Sequence, residues 1–401
     1  NLRLFEPFII LFFREGGLSF LQIGLLYSIR DLATNLLEIP TGVYADAFGR
    51  RKSMVMAFSA YIASFIIFFL FHNFYLYALA MLCFALGDAL RSGTHKALIL
   101  EYLNLNQMQH LKVEYYGSTR AASQFGSAVN SLLAAALVFY TGDYRFIFVA
   151  TIVPYVVDLF NLMTYPRELD GQLVAMRKGA IKQQVVTTIK TFASIFMDGE
   201  AMRAIMNSAG FMAFFKGTKE YLQPILKTFA LSLPVLLAAD EKQRSAVIIG
   251  GVYFVLYLLT SYSSKNAARF SKRFGDLTRA INTTFLIGAG FLFVAGLALQ
   301  RNWVILSILV FIGFYVLQNL RRPMNVAFIS DQISNRVMAS GLSVEAQAKT
   351  VMMAILAPIV GALADRFGVA VALAAMGGLM LLLTPVLWVR QAERQIAPSP
   401  R

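Results

Sequence analysis

Apolar residues run in stretches of about 20 along almost the whole chain, broken by short polar segments; Met54 to Phe71, Phe74 to Leu90, Thr283 to Leu299 and Val369 to Val389 are clear cases. A helix needs that length to cross a hydrocarbon core of roughly 30 Å at about 1.5 Å per residue. The pattern predicts twelve spans, over residues 2–13, 20–43, 53–71, 74–92, 117–140, 146–164, 204–229, 244–263, 279–299, 302–320, 338–363 and 369–389. The longest polar stretch, Tyr165 to Met202, follows the sixth span and has amphipathic helical character around Val185 to Lys190. The expected organisation is an all-α membrane protein of two pseudo-symmetric six-helix bundles: residues 1–164, a linker at 165–203, and residues 204–401 ending in a short tail.

Composition supports this class. Only 14% of the 401 residues are charged and 58% are hydrophobic, about half the roughly 25% charge of a soluble domain. There is too little polar surface to cover a water-soluble globule. The net charge of +14 suggests nucleic acid at first sight, but a dozen apolar spans leave no nucleic-acid fold. With residues at the span ends counted in the adjoining loops, 24 of the 36 Lys and Arg fall in one set of loops and 6 in the other. Basic residues collect in cytoplasmic loops, so both termini and the linker are expected inside, at the cell membrane. The single cysteine, Cys83, lies within a span, which excludes a disulfide scaffold and reads as a packing residue. The chain opens directly in an apolar stretch, and its numbering is expected to begin after a missing N-terminus.

The two halves resemble each other. A shift of 226 residues lays Ile23-Gly24 on Ile249-Gly250, Tyr27 on Tyr253 and Phe48-Gly49 on Phe274-Gly275; a shift of 222 lays Ser118 on Ser340 and Asp143 on Asp365. Between spans two and three the sequence reads Gly42-Val-Tyr-Ala-Asp46-Ala-Phe-Gly49-Arg50-Arg51-Lys52. This resembles the signature loop of the major facilitator superfamily, with Gly42, Ala45, Asp46, Gly49, Arg50 and Arg51 matching, and Tyr44 and Ala47 in place of the usual Leu and Arg. A second copy, Ala268 to Gly275, has Lys272 at the Asp position, and a third, Gly361-Ala-Leu-Ala-Asp365-Arg-Phe-Gly368, lies between spans eleven and twelve. The resemblance implies a secondary transporter working by alternating access. Gly42, Asp46, Gly49, Arg50 and Arg51, with Asp88 and Arg91 on span four, would form the gate on the inner side.

An ionisable side chain in a span costs several kcal/mol unless paired or hydrated, so each one is a site candidate. Span one carries Glu6-Pro7; span seven carries Lys216, Lys219, Glu220, Gln223-Pro224 and Lys227; span eleven carries Glu345 and Lys349. Lys216 and Glu220, like Glu345 and Lys349, stand four apart, so an intrahelical ion pair and a solute contact are both open readings. Arg30 and Asp31 on span two point about 100° apart, so one at most is expected to face a cavity directly. The expected solute site is Glu6, Asp31, Lys216, Lys219, Glu220, Gln223, Glu345 and Lys349 at mid-membrane between the halves, with Asp31 the preferred proton carrier.

Three function classes compete. A membrane enzyme would need a nucleophile, metal or phosphate-cradling constellation, and the sequence has none, nor any sign of a cofactor. A receptor or assembly factor on the same fold would be expected to lose the ionisable residues in its spans. A transporter keeps them. The expected partners are a small polar or anionic organic solute, the lipid bilayer and a proton as coupling ion, with no nucleic acid and a monomeric state. A proton-driven multidrug antiporter is the alternative, disfavoured because span five has one glycine and no proline in Ala122 to Asn130.

Overall fold

The computed structural model describes residues 3–170, 199–234, 238–332 and 338–389. Thirteen helices carry the fold among them. In the first half they are α1 (Ile9–Glu15), α2 (Phe20–Phe48), α3 (Arg50–Leu70), α4 (Phe74–Arg91), α5 (Thr94–Leu105), α6 (Lys112–Thr141) and α7 (Phe146–Met163). The second half has α8 (Gly199–Thr218), α9 (Leu222–Ser232), α10 (Glu241–Lys272), α11 (Leu277–Gln300), α12 (Val304–Gln332) and α13 (Met338–Leu383). Most of the expected linker and the C-terminal tail lie outside the described residues.

Among the described residues, eight helical stretches are long and apolar enough on their own to cross a membrane. The remaining spans are hidden for local reasons. Span one is a run of turns leading into the short α1, α2 carries Arg30, Asp31, Glu38 and Asp46, and span seven is broken between α8 and α9 by a 3-10 turn at Lys219–Tyr221. α13 is two spans in one, interrupted at Gly368 (φ 85, ψ 161). The result is a twelve-span, all-helical membrane protein.

The three motif copies share one backbone device. Gly49, Gly275 and Gly368 all have positive φ, at 102, 73 and 85°, a region that a Cβ disfavours. Each glycine reverses the chain where one span hands over to the next. At Gly49 the new helix is capped from elsewhere, the Arg51 amide donating to Asp170 Oδ1 at 2.7 Å, a carboxylate at a helix N-terminus. Another positive-φ glycine, Gly93 at 71°, separates α4 from α5, a helix lying in what the sequence reading takes as an inner loop. α5 brings Glu101 to Arg50, at 3.0 Å.

The halves meet along two helix pairs, α2 with the first part of α13 and α6 with α10. Both contacts depend on glycine. A Cβ on Gly361 would lie 2.3 Å from the Phe20 carbonyl oxygen, one on Gly24 2.3 Å from that of Ala357, and one on Gly250 2.3 Å from the Ala135 Cβ. Ser131 on α6 donates to the Gly250 carbonyl at 3.3 Å, which adds a polar link to the α6–α10 contact. Large apolar side chains such as Tyr75, Tyr140, Val153, Phe160 and Leu382 are exposed and form the lipid-facing surface. Cys83 is half-buried.

Arg321 departs from the sequence reading, which places it at the start of an inner loop. α12 runs on to Gln332, and Arg321 is fully buried, donating to Thr284 Oγ1 at 2.8 Å and to Asn207, its guanidinium 4.5 Å from the Phe211 ring centre. It ties α8, α11 and α12 together inside the second half.

Candidate functional site

Spans one and seven are the repeat-related pair with a proline beside polar residues, and their interruptions meet. α1 starts only after Pro7, so the Ile10 amide is one of the first-turn donors with no partner inside its own helix. The Gln223 side chain, fully buried, supplies the missing connection: Ile10 N donates to its Oε1 at 2.9 Å, and its Nε2 donates to the Glu6 carbonyl at 2.8 Å. A side-chain amide from one half thus stands where an i to i−4 backbone bond of the other half would run. Tyr257 adds a second link, its hydroxyl donating to Glu6 Oε2 at 3.0 Å.

Toward α2's C-terminal end a cavity of about 370 Å3 opens between the halves. Its wall from the first half presents Arg3 and Glu6 from span one, Arg30, Asp31 and Glu38 from α2, and Asp88 from α4. The facing wall presents Lys216, Lys219, Glu220 and Lys349. Ion pairs occupy most of these groups. Arg3 reaches Asp88 at 2.8 Å and Glu6 at 3.9 Å; Arg30 holds Asp31 at 2.8 Å; Lys216 crosses between the halves to Asp31 at 3.3 Å; Lys219 meets Glu220 at 2.7 Å. Tyr61 also donates to Asp88, at 2.5 Å. Among the described residues Lys349 has no ion-pair partner, and neither has Glu38, which accepts a hydrogen bond from Ser92 Oγ at 2.7 Å.

Six of the sequence-predicted site residues, Glu6, Asp31, Lys216, Lys219, Glu220 and Lys349, line this cavity. Gln223 sits behind it as the staple between spans one and seven. Glu345 is off the lining and accepts from Ser208 Oγ at 3.2 Å. Of the two readings open for Lys216 and Glu220, the intrahelical pair does not form: α8 ends at Thr218, and the 3-10 turn brings Glu220 to Lys219 instead of Lys216. Arg30 and Asp31 both reach the cavity because they pair with each other.

The gating group divides. Gly49, Arg50 and Arg51 build the α2–α3 turn, with Arg51 also donating to the Tyr165 carbonyl at 3.0 Å. Gly42 and Asp46 are exposed on α2. Asp88 lies in the cavity rather than in the loop, and Arg91 sits half-buried in the last turn of α4. Sequence reasoning left Arg3, Arg30 and Glu38 off the site. Glu38 lies seven residues, two turns, beyond Asp31, a spacing that marks the shared face.

The described residues join the halves at one end. Among the described residues, the hydrogen bonds and ion pairs between them all fall between the level of Asp31 and the Phe20 end of α2. Asp365, in the third motif copy, accepts both the Phe20 and Leu21 amides at 2.8 Å; Ser28 donates to the Ala354 carbonyl at 2.9 Å; Lys242 pairs with Glu15; Gln243 donates to the Phe139 carbonyl at 2.8 Å. At the Gly49 end Leu36 is 75% exposed, and a Cβ on Gly42 would meet nothing within 4 Å.

Two helical bundles joined at one end, with a charged cavity between them open at the other, define a membrane solute transporter rather than an enzyme. The chain belongs to the Major Facilitator Superfamily, whose family model matches residues 2–346. A Bacillus subtilis relative described as an uncharacterized MFS-type transporter, YxaM, is 34% identical over 91 residues, which are 23% of this chain and 23% of that protein. Among solved structures, the nucleoside transporter NupG superposes with a TM-score of 0.72 at 11% identity, over 96% of this chain and 93% of that one. A D-xylose-proton symporter gives 0.68 at 15% identity, over 96% and 92%. At these identities the likeness is one of fold.

Proposed function

We propose that the protein moves a small polar organic solute bearing an anionic group, coupled to protons, by alternating exposure of the cavity between its halves. The observation that carries this reading is Lys349. It is the cation of the cavity that has no carboxylate partner among the described residues, and it comes from the wall on which lysines outnumber acids. A cation in a membrane span is costly unless compensated, and a solute anion supplies the compensation. The charge density of the cavity disfavours an apolar drug. With the Gly49 loop placed inside by its basic residues, the cavity faces the cytoplasm of the cell membrane and both termini are cytoplasmic.

Proton coupling is supported by Glu6 more than by Asp31. Asp31 is clasped by Arg30 and Lys216, so protonating it would break two ion pairs. Glu6 faces the cavity, has its nearest cation at 3.9 Å and takes a hydrogen bond from the opposite half.

The test is uptake of a panel of labelled organic acids into proteoliposomes, with and without an imposed pH gradient. At least one acid is expected to enter saturably, and Lys349→Ala is expected to reduce its kcat/KM by about tenfold or more, the loss of a charge-assisted contact. Unaltered acid uptake in Lys349→Ala, or uptake confined to neutral or cationic solutes, would overturn the anion reading.

A further inference from the structure

Among the described residues, the cavity leaves one ionic side chain without an ion-pair partner on each wall: Lys349 from the second half and Glu38 from the first. The other eight ionic groups lining it are engaged in ion pairs at 2.7–3.9 Å. The two walls also carry opposite net charge. The first half contributes two cations and four carboxylates, the second three cations and one carboxylate.

We propose that the transported solute is a zwitterion, its anionic group held by Lys349 and its cationic group by Glu38. This rests on the anion-binding reading of Lys349 given above and adds the second pole. A simple anion would neutralise Lys349 but leave Glu38 without a counter-charge as the mouth of the cavity narrows and water leaves. The solute's own negative charge would then repel Glu38. A solute carrying both charges satisfies both walls at once, so closure of the open end is favoured only when it is bound.

The helix register indicates the length of the solute. α2 and α13 run antiparallel, with Gly24 beside Ala357 and Ser28 bonded to Ala354. Continued along the helices, that register places Lys349 near residue 33 of α2. Glu38 is then about five residues closer to the mouth, roughly 7 Å at 1.5 Å per residue. This offset between Cα levels along the helix axes, with the width of the cavity between the two walls, favours an ω-amino acid or a dipeptide over the shorter α-amino acid.

The experiment compares binding to the purified protein, by calorimetry, of the amino acids from glycine through 6-aminohexanoate and of glycylglycine, each against its des-amino and des-carboxy analogues. The expected result is that the longer zwitterions bind at least about tenfold more tightly than either single-charge analogue. Glu38→Gln should bring the ratio between zwitterion and des-amino acid close to one. Glu38→Asp, which keeps the charge on a shorter arm, should retain most of the discrimination, and size-exclusion profiles of both variants report folding.

Equal binding of acids and zwitterions by the wild type overturns the zwitterion while leaving the anion reading standing. So does the absence of any zwitterion binding while acids bind. Binding of amines in preference to acids overturns both. A discrimination ratio that survives in Glu38→Gln removes Glu38 from the site and leaves it a gate residue that meets Lys349 when the mouth closes.

Discussion

Gln223 shows how one side chain can join two bundles. Its amide satisfies one donor and one acceptor of span one that have no partner of their own, in a place where water is scarce and an unmade hydrogen bond costs about 1–3 kcal/mol. Gln223→Leu removes both links while keeping the volume, so the joined end should open more often. Part of the loss is offset if Ile10 N re-forms its own bond to the Glu6 carbonyl. The expected shift is about 1–2 kcal/mol toward the form open at the Phe20 end, measured as a change in spin-label distance between α2 and α13. Unchanged distance distributions would show that the staple contributes nothing to the equilibrium. Lys349 and Glu38 belong to the same scale: each is defined by the ion-pair partner it lacks among the described residues, and that could be seen only once the ion pairs around it were located.

At the scale of elements, the helices that matter most are the interrupted ones. Span one and span seven form no single long apolar helix, and α13 breaks at Gly368; the first two carry the site and the third carries Asp365. The contact between α2 and α13 makes a direct prediction. Gly361→Ala places a methyl group against the Phe20 carbonyl, and overpacking of this kind costs about 1–3 kcal/mol. Its expected effect is to spread the Phe20 end apart and lower the melting temperature, whereas Gly251→Ala, with nothing within 4 Å of its Cβ, should be silent. Equal melting temperatures for the two variants would contradict the close approach.

Much of this was legible in the sequence. Apolar length gave the spans, and the three motif copies marked turns whose glycines all have positive φ. Proline beside charge in spans one and seven pointed to the cavity, and six of the eight predicted site residues line it. The rest depended on tertiary geometry. Spacing of four paired Lys216 with Glu220 on paper, but a 3-10 turn rotates Glu220 to Lys219 and leaves Lys216 to cross to Asp31. Glu38 lies near the inner end of span two, and only the separation of the halves at that end shows that the cavity reaches it. Arg321 followed an apolar run and was counted with a basic loop; its burial depends on Asn207 and Thr284, which are far from it in sequence.

For the whole molecule, the described residues form a cavity between the halves with a sealed end and an open end. Transport requires the reverse arrangement as well, with the Phe20 end apart and the Gly49 end together. The contacts at the sealed end are separable: two amides on Asp365, one staple at Gln223, glycine contacts at Gly24, Gly250 and Gly361, and the Lys216–Asp31 pair within the cavity. The most direct measurement is accessibility of a single cysteine in the cavity wall, Thr34→Cys in a Cys83→Ser background, to a membrane-impermeant maleimide applied to either face of sealed vesicles. The resting protein should react from the face that bears the Gly49 loop. During solute flux it should react from both. Reaction from one face alone in both conditions, in vesicles that demonstrably transport, would contradict the claim that this cavity is the alternately exposed site.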